Sequence, residues 1–225
     1  MEVPTARPLL SLEGVWRGWG RRGSRRTVLR GVDLALGPGA AVAVTGANGA
    51  GKTTLLRIAA GILAPDAGRV TVDGIAPERS WREFHRWIGL LSAGDRGLYV
   101  RLSVRGHLEY WTALAFMAAP ERRQAVKRAL VQFGLRELAG RRADRLSQGQ
   151  RQRLRLALAV VHRPKLLLLD EPRTSLDDQG KALLDAAVGE TLERGGAALW
   201  CAPLGDSPPP GFDRMLLGDG ELRPA

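Results

Sequence analysis

The sequence predicts an α/β fold with a mixed, mainly parallel sheet, an antiparallel β subdomain and an inserted α-helical subdomain. Short apolar, strand-like runs alternate with helical patterns, which is typical of a parallel sheet flanked by helices. Two early runs alternate apolar and polar residues on either side of a Gly- and Arg-rich turn, as in a hairpin. Residues 103–161 are strongly helical, and strand patterns resume only after Pro164.

Each element follows from its local pattern. The helical patterns are residues 52–62 and the block 103–161, which Pro120, Gly134 and Gly140 interrupt. The predicted strands are the hairpin pair 9–17 and 28–36, the buried run 40–45, and residues 69–72, 88–91, 165–170, 197–201 and 214–217.

We expect residues 1–225 to form one domain, with a core from residues 1–95 and 163–225 and a helical subdomain from residues 96–162. A chain of 225 residues with 44% hydrophobic and 25% charged residues can bury a sizeable core. Its apolar runs are too short to span a bilayer, and none follows a basic start, so we expect neither a membrane anchor nor an export signal. A single cysteine, Cys201, fits a reducing cytosol.

The charge is strongly basic, with a formal net charge of +11 and a pI near 11.1. Basic clusters could attract nucleic acid or anionic lipid headgroups. They are scattered along the chain, however, and are not interleaved with aromatic residues that could stack on bases. The composition therefore favours a solvated Arg-rich surface, and we do not expect a nucleic-acid partner.

The first chemical motif is a phosphate loop between a buried strand and a helix. Its glycines allow the backbone N–H groups to point at phosphate oxygens, and the helix adds the positive end of its dipole. We expect Lys52 to bridge the β- and γ-phosphates, Thr53 to coordinate Mg²⁺ through its hydroxyl, and Thr54 to support the α-phosphate. The loop itself is Gly46-Ala47-Asn48-Gly49-Ala50-Gly51-Lys52-Thr53.

The second motif is an apolar strand, residues 166–169, that ends in two carboxylates, Asp170 and Glu171. Such a strand delivers them to the carboxyl edge of the sheet, where ligands of open α/β sheets bind. We expect Asp170 to hold Mg²⁺ through water and Glu171 to orient and deprotonate the attacking water. Together the two motifs define only a P-loop nucleotidase that uses Mg²⁺.

A third motif, Leu146-Ser147-Gln148-Gly149-Gln150, opens a helix before the second strand. With this motif the chain resembles the ABC ATPase family, whose LSGGQ-type sequence occupies this place. The resemblance implies that Ser147, Gly149 and Gln150 bind the γ-phosphate of ATP held by the opposite subunit. A helix N-terminus suits that task because its N–H groups and dipole favour an anion.

The resemblance covers nearly the whole chain. Trp19 stands where the family has an adenine-stacking aromatic residue, and Trp16 is the alternative. Ser175-Leu176-Asp177 resembles the loop that couples the two sites of a dimer. Residues 97–110 resemble the entry to the helical subdomain of exporter-type members, a region that meets the membrane subunits in that family.

Two positions depart from the family pattern. The family has a Gln after the strand at residues 88–91, but this chain has none there, and Ser92 and Asp95 are the candidates to replace it. The family also has a His after the last core strand, where this chain has Ala202-Pro203. The expectation is that ATP binding and closure persist while hydrolysis is slow, or is carried by a different partner ATPase.

The function implied by the resemblance is that of an ATP-binding and hydrolysing subunit of an ABC transporter. Its partners would be transmembrane permease subunits and a second ATPase subunit, in a homodimer or a heterodimer. It would be cytoplasmic and peripheral on the cytoplasmic face of the cell membrane. Two alternatives remain open: a soluble ABC ATPase acting on nucleic acid or ribosomes, and a regulatory subunit that binds ATP and hydrolyses it weakly.

Overall fold

Two β-sheets organise the computed structural model, which describes residues 7–20, 24, 26–94, 97–174, 176–206 and 208–225. The strands are β1 (Leu10–Trp19), β2 (Arg26–Leu36), β3 (Ala41–Gly46), β4 (Ala67–Val72), β5 (Ile88–Leu91), β6 (Leu166–Asp170), β7 (Ala197–Pro203), β8 (Asp213–Gly218) and β9 (Glu221–Pro224). One sheet has the order β2-β1-β4, and the other has the order β5-β6-β7-β3-β8-β9.

The smaller sheet contains the predicted hairpin. Strands β1 and β2 pair antiparallel, with Leu10 opposite Leu36 and Trp19 opposite Arg26. Strand β4 pairs antiparallel with the other edge of β1. The antiparallel β subdomain is therefore confirmed.

The larger sheet is parallel except for β9, which pairs antiparallel with β8. Its strand β6 is buried throughout. Leu167 and Leu169 pack into the cluster that includes the helical subdomain, while Leu166 and Leu168 pack into the cluster on the opposite face. Because both faces are covered, the strand reads as an unbroken apolar run rather than an alternating one.

The helices are α1 (Lys52–Ala59), α2 (Trp81–Arg86), α3 (Val104–Leu114), α4 (Ala119–Gln132), α5 (Gln148–Val160) and α6 (Asp178–Glu193), with 3-10 helices at Arg136–Leu138 and Ala143–Arg145. Helices α3 to α5 lie within the predicted helical block. The prediction placed a break in the helical block at Pro120. In the structure, Pro120 instead lies in the first turn of α4. A proline fits there because the first turn has no use for its missing N–H.

Three elements of the structure were not predicted: α2, α6 and β9. Helix α1 also ends earlier than predicted, at Ala59, and Gly61 follows it with a left-handed φ of 67°. A left-handed glycine is a common helix terminator because it lacks the Cβ that makes this conformation costly. In the part of the chain that the structure describes, no helix combines the length and the apolar character needed to cross a membrane.

Candidate active site

The phosphate loop joins the end of β3 to the start of α1. Gly49 and Gly51 have φ values of 80° and 110°, a region that glycine enters without strain. At Gly46, an added Cβ would lie 2.4 Å from the backbone oxygen of Leu217 in β8. The glycines thus shape the loop and also allow the C-terminal hairpin to approach it.

Lys52 lies inside this loop. Its side chain is only 6% exposed, and its Nζ donates hydrogen bonds of 2.7 Å to the Gly46 carbonyl and 3.0 Å to the Ala47 carbonyl. A buried ammonium needs such acceptors. These bonds hold the cation next to the loop, where it can pair with a phosphate oxygen.

A cavity of about 640 Å³ adjoins the loop, which is within the usual range for small-molecule sites. Asn48 is exposed at its rim. Strand β2 and the β8–β9 hairpin complete the wall. The lining residues are Arg26, Thr27, Val28, Arg30, Ala47, Asn48, Gly49, Ala50, Leu204, Leu216, Leu217, Gly218, Asp219 and Gly220.

The two predicted metal ligands are in contact. The Thr53 hydroxyl donates a hydrogen bond of 3.2 Å to Asp170 Oδ1, which links the first turn of α1 to the end of β6. Asp170 is 4% exposed. Burial raises the pKa of this carboxyl, whereas its hydrogen bond with Thr53 lowers it and the nearby Glu171 raises it.

These residues fit a magnesium ion. A hydroxyl and a carboxylate oxygen converge, and hard cations prefer such oxygen ligands. Both residues line a cavity of about 460 Å³ that would leave room for further ligands. Among the described residues, no group of three or more His, Cys, Asp or Glu side chains could hold a metal ion, so phosphate and water oxygens would have to complete the shell.

Glu171 follows Asp170 directly and has a left-handed φ of 47°. This conformation is uncommon for a residue with a side chain, and it is maintained here by a 2.7 Å hydrogen bond from the Glu171 N–H to the Cys201 carbonyl of β7. The bond ends the run of β6 and turns the chain at the sheet edge. A second carboxylate is thereby held beside Asp170, as a general base would need to be.

The segment 146–150 begins helix α5. The Ser147 hydroxyl accepts a bond of 3.3 Å from the Gln150 N–H, and the Gln150 side chain accepts one of 3.0 Å from the Ser147 N–H. This reciprocal pair is a capping box. Leu146 is buried and anchors the segment, while Ser147 is exposed and available to a partner molecule.

Within one chain, the structure does not bring this segment to the phosphate loop. None of the residues 147–150 lines the cavity at the loop or the one at Asp170. A Cβ built on Gly149 would instead lie 3.7 Å from Asp177 Oδ2, so the segment adjoins the end of the predicted coupling loop. Ser175 of that loop lies outside the described residues.

Both candidate stacking residues lie on β1 and are partly exposed. Trp19 is 44% exposed and pairs in register with Arg26, which lines the cavity at the phosphate loop. The Arg17 guanidinium lies 4.6 Å from the centre of the Trp19 ring. Trp16 is 46% exposed and lies against Gly31. The assignment of Trp19 to the adenine remains a prediction.

The two departures from the family pattern can be placed. Pro203 is level with Gly46 in the pairing of β7 with β3, and Ala202 is buried, so neither can offer a polar side chain to a phosphate. Ser92 and Ala93 line the cavity at Asp170. Asp95, the other candidate to replace the Gln, is outside the described residues.

Several site residues were not predicted from sequence. Part of the wall of the cavity at the phosphate loop is formed by Arg26, Leu204 and Gly220. These residues come from distant parts of the chain, and no local motif marks them. A larger cavity, of about 790 Å³, lies elsewhere, between α3 and α4. It is lined by Arg105, Glu109, Ala119, Arg122, Arg123, Val126, Lys127, Leu130 and Arg136.

The chain is similar in sequence to known ABC transporter proteins. A family model described as "ABC transporter" matches residues 29–174. The ABC transporter ATP-binding protein NatA of Bacillus subtilis is 38% identical over 149 residues, which cover 66% of this chain and 61% of NatA. The cytochrome c biogenesis ATP-binding export protein CcmA of Cupriavidus necator is 40% identical over 207 residues, which cover 85% of this chain and 82% of CcmA.

The fold is also shared with solved structures. One is a dimeric, post-hydrolysis state of an ATP-binding cassette bound to ADP and Pi. It matches with a TM-score of 0.82 at 23% sequence identity, and the match covers 95% of this chain and 96% of that one. This likeness establishes a P-loop ATPase core with an antiparallel subdomain and an inserted set of helices.

Proposed function

Because this chain belongs to the ABC transporter family of ATP-binding proteins, we propose that it is the ATP-binding and hydrolysing subunit of an ABC transporter. It couples ATP-driven dimerisation to substrate export through separate membrane subunits. The observation that carries the proposal is the 3.2 Å hydrogen bond between Thr53 and Asp170. It joins the phosphate loop to the strand that ends in Glu171, so binding and cleavage share one site.

The residues divide the work of phosphoryl transfer. Lys52 pairs with the β- and γ-phosphates, and the N–H groups of the loop hold their remaining oxygens. Thr53 and Asp170 hold Mg²⁺, which neutralises charge on the phosphates when it is bound. Glu171 orients the attacking water and accepts its proton. Trp19 stacks on the adenine, and Thr54 supports the α-phosphate.

A second ATPase subunit completes the site. The exposed Ser147, with Gly149 and Gln150, binds the γ-phosphate of ATP on the opposite subunit, in a homodimer or a heterodimer. NatA and CcmA are ATP-binding proteins by name, CcmA an export protein, which supports a role beside permease subunits at the cytoplasmic face of the membrane.

Hydrolysis by the isolated chain is slow in this proposal. Support comes from β7, where Ala202 and Pro203 lie level with the end of β3 and carry no side chain that could contact the γ-phosphate. Ser92 and Ala93 line the cavity at Asp170, and neither carries an amide side chain. Binding does not depend on either group.

The test combines two measurements on the purified protein and its Glu171→Gln variant. We expect MgATP binding by both proteins, a slow steady turnover by the native protein, and a turnover at least about 100-fold lower in the variant, since a general base contributes that much. The matched control is Glu193→Gln, an exposed carboxylate at the end of α6, which should leave turnover unchanged.

Each result bears on a different part of the proposal. A native protein that does not bind MgATP would overturn the function itself. Turnover that Glu171→Gln leaves intact would remove Glu171 from the role of base. Turnover at the rates usual for the family, abolished by Glu171→Gln, would contradict only the proposal of slow hydrolysis.

A further inference from the structure

Arg155 is a charged side chain in the interior of the molecule, on helix α5, and is only 7% exposed. Its Nη1 donates a hydrogen bond of 2.7 Å to Gln152 Oε1, one turn earlier on the same helix. Its Nη2 donates a hydrogen bond to the backbone carbonyl of Ser92, just after β5. A buried guanidinium is tolerated only when it is bonded in this way.

The segment that Arg155 contacts is the one that lies against the magnesium carboxylate. The residue after Ser92 is Ala93. Ser92 and Ala93 line the same cavity as Thr53 and Asp170. One side of Ser92–Ala93 therefore faces the site, and the other is bonded to α5.

We infer that Arg155 is a positioning residue that ties helix α5 to the Ser92–Ala93 backbone and thereby fixes that backbone in the wall of the cavity that Thr53 and Asp170 also line. The inference rests on the proposed function, because it concerns the magnesium site of that function. It gives a buried arginine a role beside Asp170 in a chain that has no glutamine between Trp87 and Arg101.

Helix α5 connects the bond between Arg155 and Ser92 to the segment at Ser147. Helix α5 begins at Ser147, so the guanidinium is attached eight residues later, about 12 Å along a rigid helix. A displacement of Ser147 by a neighbouring molecule would be transmitted by the helix to the Ser92 carbonyl. The segment that binds ATP on the opposite subunit is in this way mechanically connected to Asp170 of its own chain.

The test is an Arg155→Met variant, which keeps the length of the side chain and removes the donors. Arg155 borders a cavity of about 260 Å³, so water can reach the Ser92 carbonyl in the variant. A fluorescent ATP analogue would be bound first in EDTA and then titrated with Mg²⁺. Loss of an outer-shell partner of a metal ligand typically lowers affinity about 10- to 100-fold.

We expect binding in EDTA to be unchanged, because the phosphate loop is intact, and the Mg²⁺ midpoint to rise about tenfold or more. The matched control is Arg153→Met on the same helix, whose guanidinium lies near Gly134 and not at residues 92–94. Gln152→Met should shift the midpoint in the same direction by a smaller factor, since the guanidinium keeps its bond to the Ser92 carbonyl. Gln152→Met also serves as the test if Arg155→Met does not fold.

The outcomes separate the inference from the function on which it rests. A native protein that binds no analogue in either condition would overturn the proposed function. Native binding with equal Mg²⁺ midpoints in the native, Arg155→Met and Gln152→Met proteins would overturn the inference alone. A purely structural role for Arg155 predicts equal weakening with and without Mg²⁺, and that result would also overturn it.

Discussion

The hydroxyl of Thr53 and the carboxylate of Asp170 are joined by a hydrogen bond of 3.2 Å, although the two residues are 117 positions apart. Thr53 belongs to the first turn of α1, and Asp170 is the last residue of β6. The bond places two side-chain oxygen atoms next to each other at the carboxyl edge of the parallel sheet. It also brings the strand that leads to Glu171 to the phosphate loop.

Replacing Lys52 with Met should weaken nucleotide binding about 10- to 100-fold. The reason is the loss of a charge-assisted bond to phosphate, which is worth about 1.5–3 kcal/mol, or about a factor of ten for each 1.4 kcal/mol. Titration with a fluorescent ATP analogue measures the change. Lys181→Met on α6 removes a lysine that is paired with Asp178, and its binding should match the native protein. Equal affinities for both variants would contradict the role of Lys52.

Two substitutions at Ser147 should separate its capping role from its role in the dimer. Ser147→Ala removes the cap and should lower the free energy of unfolding by about 1 kcal/mol. Ser147→Asp keeps a capping oxygen and adds a favourable charge at the helix start, so stability should be retained. That negative charge should nevertheless repel the γ-phosphate of the neighbouring ATP.

The dimer is measured by size-exclusion chromatography with ATP, in the Glu171→Gln background. We expect neither Ser147 variant to form an ATP-dependent dimer, whereas urea unfolding should distinguish them. Dimer formation by Ser147→Asp would show that Ser147 does not contact the γ-phosphate.

Gly46→Ala should destabilise the protein by about 1–3 kcal/mol, because the new methyl group would overlap the Leu217 carbonyl, 2.4 Å away. Gly189→Ala in helix α6 is the matched control. No atom lies within 4 Å of the Cβ that it adds, and alanine is favoured over glycine in a helix by up to about 1 kcal/mol. Urea unfolding should therefore give shifts of opposite sign, and destabilisation by both would count against the packing argument.

The stability of the protein should fall as the pH decreases from 6.5 towards 4. Burial lowers the pKa of His162 from 6.5 to about 4, while its Nε2 is bonded to the Ile88 carbonyl. Between these pH values the unfolded chain binds a proton that the folded chain excludes. The contribution of this histidine to the free energy of unfolding is at its full value above pH 6.5. It decreases by about 1.4 kcal/mol for each pH unit below 6.5.

The His162→Gln variant keeps a donor for Ile88 but does not titrate. Its free energy of unfolding, measured in urea at several pH values, should depend less on pH than that of the native protein between pH 6.5 and 4. Parallel profiles for the two proteins would show that His162 is not the group responsible.

Local sequence patterns were sufficient to predict the strands and the loop that have the clearest periodicity or glycine spacing. The alternation in β1 and β2 predicted a hairpin, and the four leucines before Asp170 predicted a buried strand. The glycines between β3 and α1 predicted the phosphate loop together with its position at the sheet edge. These signals are local because strand periodicity and the φ angles of glycine depend on neighbouring residues.

Elements with weak local signals were missed. Helix α6 contains Gly180 and Gly189, which lower its intrinsic helix propensity, and its buried residues Leu184 and Val188 pack against the sheet. Strand β9 ends at Pro224, which a strand at the edge of a sheet tolerates. Packing against the sheet stabilises both elements, and packing cannot be read from a short window of sequence.

The sequence by itself predicted which residues would hold a triphosphate and where its chemistry would take place, since Lys52, Thr53, Asp170 and Glu171 stand in contiguous motifs whose geometry is local. Only the tertiary structure decided what surrounds them. The Arg155 guanidinium behind Ser92 and the hairpin wall at Leu217 come from segments far apart in the chain. Their contacts form because burial of a common core brings those segments together, and no local conformational preference records that cooperative packing.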